Sequence, residues 1–494
     1  MTKSETQKVL DKIHKGGGIL YPFRKGYANL AALLETLPPE AWRQNESVLG
    51  GLVLLLVKQG QVARAKSYLR ARKFEFEKTY RFAFLELLVA LHLGERVSQR
   101  DLTSWRRLER ELPLQEPLLL GLYYNAMMVI LVRTGDLGAA RSVGQQAISC
   151  FREDGHLYLE HFIHVHLADL DVVEGRLRRA LRGIASAERC LAQSGVSYGN
   201  EAQLIEVVRL AIAYERGEFS KVCQSTTRLR ESLLQGDSWS ELFFQLARIS
   251  VLSHYFSDGL KPAQHEMELL YADYARRHAG LATTIDVISA MIWRLEWNPG
   301  EAEQSVEALD GIELNSALGD MLLAEQRVLM YREDCVQTTT PRAQIIADLQ
   351  RAQSSRGKHR RYALERAFKL AFNEGQIAPF LENRDALLGM SSQIAAMPAL
   401  RKNRRMLRFT NKILKAVEQS YVIPESLRQI GFSKRQFRVA AALQSGATNK
   451  QVARQLGTTE ATVKYHLTSL YRLTGATNRS EFIDFIQKNE INAN

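Results

Sequence analysis

A group of side chains able to contact nucleic acid lies near the C-terminus, on the helical pattern of residues 460–474. Three apolar side chains at i, i+4 and i+7 define its inner face: Val463, Leu467 and Leu470. Four polar side chains share the opposite face: Lys464, Tyr465, Thr468 and Arg472. This outer face offers two cations, a hydroxyl and a phenol, and it carries no carboxylate. Such a helix face can enter the major groove of DNA, where cations contact phosphates and polar groups reach base edges.

Short helices with clear start and stop signals surround this face. Ser433 with Gln436, and Thr448 with Gln451, have capping-box spacing. Thr459 can cap the third helix, and Glu460 then lies in its first turn, where the helix dipole favours an acid. We expect the first three helices to end at glycines: Gly446, Gly457 and Gly475. Thr477 or Asn478 can open a fourth helix, so the pattern predicts a four-helix unit. By itself this pattern also fits a small packing unit with a solvated third helix.

Individual residues favour the first reading, because the stretch resembles the DNA-binding domain of LuxR-type bacterial transcription regulators over some fifty residues. The matching positions are Arg435, Val439, Leu443, Gly446, Asn449, Lys450, Ala453, Leu456, Glu460, Thr462, Val463, Lys464, His466, Leu467, Gly475, Asn478 and Arg479. There are departures from the family pattern. Lys434-Arg435-Gln436 replaces a Pro-Arg-Glu, Leu473-Thr474 replaces a Lys-Leu, and Tyr465 replaces a small aliphatic residue.

The resemblance implies roles for individual side chains. The implied DNA-binding residues are Asn449, Lys450, Thr459, Thr462, Lys464, Tyr465, Thr468 and Arg472. His466 we interpret as a packed or boundary histidine. The fourth helix would form a homodimer on DNA through Phe482, Ile483, Phe485 and Ile486, and the alternative is that these side chains only fill the core.

The charge distribution agrees with a DNA-binding end. Residues 401–494 hold 17 Lys and Arg against 6 Asp and Glu, which is +11 of the chain's +12. A basic end on a neutral body is typical of proteins that bind nucleic acid. Part of the excess lies in a run before the four-helix unit, at Arg401, Lys402, Arg404, Arg405, Arg408, Lys412 and Lys415. This run is either a solvated face or a source of further phosphate contacts.

Other features limit the class of protein. The N-terminus has no apolar stretch suited to a signal peptide, and the most apolar run, residues 48–57, is too short to span a bilayer. We therefore expect a cytoplasmic protein with no membrane partner. The cysteines lie far apart without paired spacing, which fits free thiols and neither disulfides nor a zinc site: Cys150, Cys190, Cys223 and Cys335.

Before residue 390 the chain repeats a unit of an apolar helix, a turn glycine and an alanine-spaced amphipathic helix. The turn glycines are Gly60, Gly94, Gly135, Gly175, Gly217, Gly259 and Gly300, at spacings of 34 to 42 residues. A period near forty indicates stacked helical hairpins. The fold class expected is all-α: a tetratricopeptide-like superhelix followed by a four-helix LuxR-type helix-turn-helix domain.

The helical part resembles that of large MalT-like LuxR regulators, both at residues 30–69 and in the last repeat, around Glu374, Gly375, Phe380 and Leu381. Those regulators carry an N-terminal ATPase domain, whereas no Gly-x-x-x-x-Gly-Lys-Ser/Thr loop is present here, so we expect no ATP-driven switch. We divide the chain into an N-terminal segment (residues 1–26), a helical-repeat domain (27–390), a basic connector (391–428) and the DNA-binding domain (429–490).

Three classes of function compete. The first is a transcriptional regulator, more an activator than a repressor, whose repeats bind a small-molecule or protein effector and whose other partners are double-stranded DNA and RNA polymerase. The second is a protein-binding scaffold with a degenerate DNA-binding domain. The third is an enzyme, using a histidine cluster at His156, His161, His164 and His166. No nucleophile elbow, dinucleotide loop or His-Glu-x-x-His motif supports catalysis, and we expect neither an enzyme nor a cofactor or metal.

Overall fold

The fold is built from helices, and no strand occurs among the residues that the computed structural model describes. Those residues are 3–38, 45–76, 79–93, 97–195, 201–233, 240–274, 281–296, 299–307, 340–355, 357–387, 390–420, 423, 425–444, 447–456 and 458–488. The expected all-α fold class, with a stack of helical hairpins ahead of a C-terminal helix-turn-helix domain, is confirmed. None of the described helices has the length and apolarity needed to cross a bilayer.

The first part of the chain holds seventeen described helices. They are α1 (Lys3–Lys15), α2 (Tyr21–Lys25), α3 (Tyr27–Glu35), α4 (Glu46–Lys58), α5 (Val62–Phe76), α6 (Tyr80–Leu93), α7 (Gln99–Leu108), α8 (Pro117–Arg133), α9 (Leu137–Glu153), α10 (Leu157–Val173), α11 (Leu177–Ser194), α12 (Glu201–Glu215), α13 (Phe219–Leu233), α14 (Ser240–Asp258), α15 (Leu260–Tyr274), α16 (Leu281–Leu295) and α17 (Pro299–Glu307).

The second part holds eleven described helices. They are α18 (Pro341–Ser354), α19 (Gly357–Glu374), α20 (Ala378–Glu382), α21 (Ser391–Ala395), α22 (Pro398–Arg401), α23 (Arg404–Ser420), α24 (Glu425–Gln429), α25 (Lys434–Gln444), α26 (Asn449–Leu456), α27 (Glu460–Thr474) and α28 (Arg479–Lys488). Two short 3-10 turns accompany them, at Gly18–Leu20 and Arg384–Leu387.

From α4 to α17 the helices pair into hairpins that stack side by side. Each first helix packs against its own partner and against the first helix of the next hairpin, so α4, α6, α8, α10, α12, α14 and α16 form one layer. These first helices are the apolar ones, and in α12 and α14 most of the described side chains are buried. The amphipathic second helices cover that layer from outside, which is the arrangement of stacked helical hairpins.

Five of the predicted turn glycines do mark hairpin turns. Gly60, Gly135, Gly175, Gly217 and Gly259 all have positive φ, between 71° and 96°. Only glycine adopts that conformation without strain, so these positions end the first helix of each hairpin. Gly94 falls outside the described residues. The prediction for Gly300 is wrong, because Gly300 is the second residue of α17.

The N-terminal segment packs onto the first hairpin and shares its core. Ile13, Ile19 and Tyr21 are buried in the same apolar cluster as Leu49 and Val53 of α4. The N-terminal segment is therefore part of the packed fold, since α1, the 3-10 turn and α2 all contact α4. The boundary at residue 26 stays a prediction.

The hairpin of α18 and α19 returns to the turns of two earlier hairpins. The backbone N–H of Arg342 donates to the carbonyl of Glu174 at 3.1 Å, and that of Ile377 donates to the carbonyl of Glu215 at 2.7 Å. The Cβ of Arg342 lies 2.9 Å from where a side chain on Gly175 would begin, so no larger residue fits that turn. These two glycine turns thus reverse the chain and also contact the hairpin of α18 and α19.

A buried ionic network closes the same contact. Glu382 of α20 accepts hydrogen bonds from Arg342 at 2.6 and 2.7 Å and from the hydroxyl of Tyr214 at 2.7 Å. Glu215 accepts from Arg342 at 3.0 Å and from Arg248 at 3.3 Å. Burial alone would raise the pKa of Glu382, but the guanidinium groups of Arg342 and Arg248 hold this pKa below its ordinary value.

The connector is a folded element. Helix α23 buries Met406, Ile413, Leu414 and Val417 in an apolar core that runs without a break from α18 to α28. Residues 421, 422 and 424, which follow α23, lie outside the described residues. Arg384 donates to the carbonyl of Ser420, so the end of α23 is fixed to the repeats. The connector is therefore packed on the last hairpin, where α22 and α23 contact α19, and its helix α21 contacts α26 of the DNA-binding domain.

Candidate DNA-binding interface

The start signals of the four C-terminal helices all act as expected. Ser433 and Gln436 exchange hydrogen bonds at 2.8 and 3.3 Å, and Thr448 and Gln451 do the same at 2.8 and 3.3 Å. The hydroxyl of Thr459 accepts from the N–H of Thr462 at 3.2 Å. These bonds satisfy amide groups that the first turn of a helix leaves unpaired. They fix where α25, α26 and α27 begin.

The fourth helix begins at Asn478, whose side chain accepts from the N–H of Glu481 at 3.0 Å. Glu481 in turn accepts from the backbone N–H and the hydroxyl of Thr477, at 2.8 and 2.7 Å. These bonds to the charged form lower the pKa of Glu481. At the end of α27, Gly475 has φ of 75°, the left-handed conformation expected there. Gly446 and Gly457 lie outside the described residues.

The inner face of α27 is the predicted one. Val463 and Leu470 are fully buried and Leu467 is nearly so, in contact with α25 and α26. A hydrogen bond of 2.8 Å from Gln436 to the hydroxyl of Ser469 adds a polar link between α25 and α27. His466 is half-buried beside Tyr465, as expected for a boundary histidine. These contacts hold α27 in one orientation.

The outer face of α27 is open to solvent. Tyr465 is 72 % exposed, and Lys464, Thr468 and Arg472 are exposed with it. Lys464 has one weak internal partner, the carboxylate of Glu460 at 3.9 Å, with both side chains largely exposed. Such a surface pair contributes little, so the ammonium group is available to a phosphate or a base. The hydroxyl of Thr468 donates to the carbonyl of Lys464 at 3.1 Å, which leaves its lone pairs outward.

The remaining predicted side chains lie at the starts of α26 and α27. Lys450 and Thr459 are exposed, and Thr462 and Asn449 are half-buried. The hydroxyl groups of Thr459 and Thr462 are 2.8 Å apart. The first turns of both helices thus present polar groups together with helix N-termini, which favour phosphate.

Arg479 supports this surface, and sequence reasoning gave it no role. Its guanidinium donates to the carbonyl of Ala447 and lies 3.5 Å from the side-chain oxygen of Asn449, which ties α28 to the start of α26. The family match of Arg479 was a signal for such a role, but its partners lie about thirty residues away in sequence. Arg479 therefore helps to hold the side chain of Asn449 in position.

The fourth helix divides its apolar side chains between core and surface. Phe482 and Ile486 are fully buried within the monomer, so they are part of its core. Ile483 and Phe485 are half-buried. Of the four residues predicted to dimerise the domain, these two have area left for a partner, and dimerisation stays a prediction.

The histidine cluster is not one site. His161 and His166 are buried, and burial lowers the pKa of His161 to about 4 and that of His166 to about 3, so both rings are neutral at pH 7. His164 lies beside Glu160 at 3.1 Å, and His156 lies against the carbonyl of Phe23 at 3.2 Å.

The class of the C-terminal domain follows from its match to a known family. Residues 431–486 match the family model described as bacterial regulatory proteins, luxR family. The capped four-helix unit with an exposed polar face on α27 is therefore a LuxR-family helix-turn-helix domain, as the sequence predicted.

Two curated relatives share more of the chain. The HTH-type transcriptional regulator MalT of Yersinia pestis (strain Pestoides F) is 25% identical over 237 residues, which covers 42% of this chain and 26% of the relative. The protein of the same name from Serratia proteamaculans (strain 568) is 25% identical over 232 residues, covering 42% and 25%. The chain thus spans about a quarter of the length of the curated relatives that it matches. No solved structure matches it significantly.

Proposed function

We propose that the chain is a DNA-binding transcriptional regulator that reads double-stranded DNA with α27. The observation that carries this proposal is the outer face of α27, where Lys464, Tyr465, Thr468 and Arg472 are exposed on a helix held by capped neighbours. A helix-turn-helix domain places the N-terminal half of this helix in the major groove. The first turns of α26 and α27, with Lys450, would then contact the phosphate backbone.

The test is equilibrium binding of the full chain to duplex DNA over a range of salt concentrations. Lys464→Ala is expected to weaken binding roughly tenfold, because one charged contact at the interface is lost. Lys261→Ala removes another exposed lysine, from the helical repeats, and serves as the matched control. Equal binding by the Lys464 variant and the control would contradict the proposed interface. Failure of the wild type to bind at low salt would favour a protein-binding scaffold.

The helical repeats are proposed to bind an effector, either a small molecule or a protein, and to pass its effect to the DNA-binding domain. Support comes from the unbroken apolar core from α18 to α28 and from the Arg384 bond to Ser420. A ligand that shifts the last hairpin would therefore shift α23 and the domain beyond it. Effector binding would be detected as coupling: the ligand changes DNA affinity by the factor by which DNA changes ligand affinity.

The resemblance to MalT-like regulators also supports a homodimer on DNA and activation through contact with RNA polymerase in the cytoplasm, where the chromosome lies. In vitro transcription from a bound promoter tests the direction of control. Activation predicts more transcript when the protein is added, whereas less transcript would establish repression.

A further inference from the structure

Three residues with metal-binding side chains meet on one hairpin junction of the repeats. Cys223 lies on α13, and His254 and Asp258 lie one turn apart on α14. One ligand atom from each residue lies within 4.8 Å of the other two. Cys223 and His254 are 31 positions apart in sequence, so residue spacing gave no signal for this cluster.

The separation of the ligand atoms suits a small tetrahedral ion. Nδ1 of His254 is 3.5 Å from Oδ2 of Asp258. Zinc binds nitrogen and oxygen at about 2.0–2.2 Å, and the tetrahedral angle then places two such ligands roughly 3.3 to 3.5 Å apart. The observed distance is too long for a hydrogen bond and close to this ligand-to-ligand distance.

Nδ1 of His254 is a buried atom that makes no hydrogen bond within the described part of the chain. The carboxylate of Asp258, at 3.5 Å, is an ion-pair partner only for a protonated ring. A metal ion between the two groups would bind both of them. Asp258 is the open side of the cluster, with 53 % of its side chain exposed, and it offers an ion a path from solvent.

We propose that Cys223, His254 and Asp258 form a zinc(II) site with its fourth position open to water. Thiolate, imidazole and carboxylate are all ligands that zinc accepts. Because burial raises the pKa of the Cys223 thiol to about 11, the free thiol is protonated at neutral pH. Forming the sulfur–zinc bond therefore releases one proton to solvent.

A second cluster of potential metal ligands on the repeats can be compared with the first. Glu160, His164 and Cys190 also bring ligand atoms within 4.8 Å of one another. There, however, Glu160 already accepts from Arg152 at 2.8 Å and lies 3.1 Å from Nε2 of His164. The guanidinium both occupies the carboxylate and repels a cation, so we assign no metal to this cluster.

The position of the site links it to the DNA-binding end. His254 precedes Tyr255, whose hydroxyl donates to Glu296 at 2.9 Å and accepts from Arg384 at 3.0 Å. Arg384 also holds the carbonyl of Ser420. An ion that joins α13 to α14 would therefore stiffen the helix end on which the connector is fixed.

Cobalt(II) binding to the full, metal-stripped chain is the test, because thiolate–cobalt coordination gives a charge-transfer absorption that free cobalt lacks. The wild type should bind one equivalent with this absorption, and zinc should displace it. Cys223→Ser should abolish the absorption, whereas Cys190→Ser should leave it unchanged. Asp258→Asn, at an exposed position that tolerates the change, should weaken binding at least about tenfold.

Circular dichroism of each variant without metal shows whether the helices remain folded, so that loss of binding is not mistaken for unfolding. Absence of thiolate–cobalt absorption in the wild type would overturn the proposal. An absorption that survives Cys223→Ser, or disappears in Cys190→Ser, would also overturn it. None of these readouts involves DNA, so failure here leaves the proposed regulator standing.

Discussion

Arg342 donates two hydrogen bonds to the carboxylate of Glu382, at 2.6 and 2.7 Å, in the buried interior where the last hairpin meets the repeats. The two residues are forty positions apart, and Arg342 also reaches Glu215 at 3.0 Å. The pair thus joins α18 and α20 to the end of α12.

We expect Arg342→Met to destabilise the protein by about 3–5 kcal/mol, because two carboxylates would remain buried without a full set of partners. Urea unfolding followed by circular dichroism measures the effect. Arg209→Ala, which removes the exposed pairs with Glu188 and Glu206, should cost at most about 1 kcal/mol. If the two variants unfolded alike, the buried network would not be what holds the last hairpin.

The connector helix should add phosphate contacts. Arg404, Arg405 and Arg408 are exposed on or beside the first turns of α23. Replacing all three by glutamine should reduce the slope of log affinity against log salt by about 2 to 3, since each neutralised phosphate contributes about 0.9.

The matched control for the connector removes three exposed arginines from the repeats: Arg100, Arg107 and Arg110. It has the same change in net charge and should leave the salt slope unchanged. A connector variant that keeps the wild-type slope would show that α23 is only a solvated face.

Acid should destabilise the repeats through their buried histidines. The pKa of His161 is lowered by burial to about 4, so the unfolded chain, with an ordinary pKa near 6.5, binds the proton first. The contribution of neutral His161 to the free energy of unfolding is therefore complete above about pH 6.5. It is lost as the pH falls, and at pH 4 the loss from His161 alone is about 3 kcal/mol.

Thermal melts between pH 7.5 and 4.5 test this expectation. His161→Gln should flatten the pH dependence even if it lowers the melting temperature at pH 7.5. A variant with the wild-type pH profile would assign the acid sensitivity to other groups.

Dimerisation through α28 depends on the apolar side chains that the monomer leaves partly exposed. Ile483→Asp should abolish two-site binding on a DNA fragment while single-site binding persists, because a charge would enter the proposed interface. Asp484→Asn changes a neighbouring exposed residue on the same helix and should have no effect. Analytical ultracentrifugation with DNA separates the two stoichiometries, and a dimeric Ile483 variant would contradict the assignment.

Local signals predicted local structure well. The capping pairs at Ser433 and Thr448 and the turn glycines act within four residues, so their geometry can be read from spacing alone. Family resemblance located α27, and the described burial of Val463 agrees with it. Gly300 shows the limit of predicting turns from a regular spacing. The spacing was extended to one glycine too many, and Gly300 lies inside α17.

Long-range relationships escaped sequence reasoning for a physical reason. The Arg342 pairs with Glu215 and Glu382 depend on how the last hairpin returns to earlier turns, and no periodicity encodes that return. Phe482 is an apolar residue that the sequence analysis placed at a dimer interface. The structure shows that it is fully buried within the monomer. The charge pattern of the sequence located the basic run of the connector. Only the structure shows that most of this run lies on α23, a helix fixed to the repeats.

The most direct test of the account is selection of bound sequences from a pool of genomic DNA fragments by the full chain, with Lys464→Ala selected in parallel. If α27 reads sequence, the wild type should enrich a recurrent sequence arranged as two related half-sites, and the variant should lose this enrichment while binding at low salt persists. Fragments retained by the wild type without any common sequence, and equally by the variant, would contradict a sequence-reading role for α27.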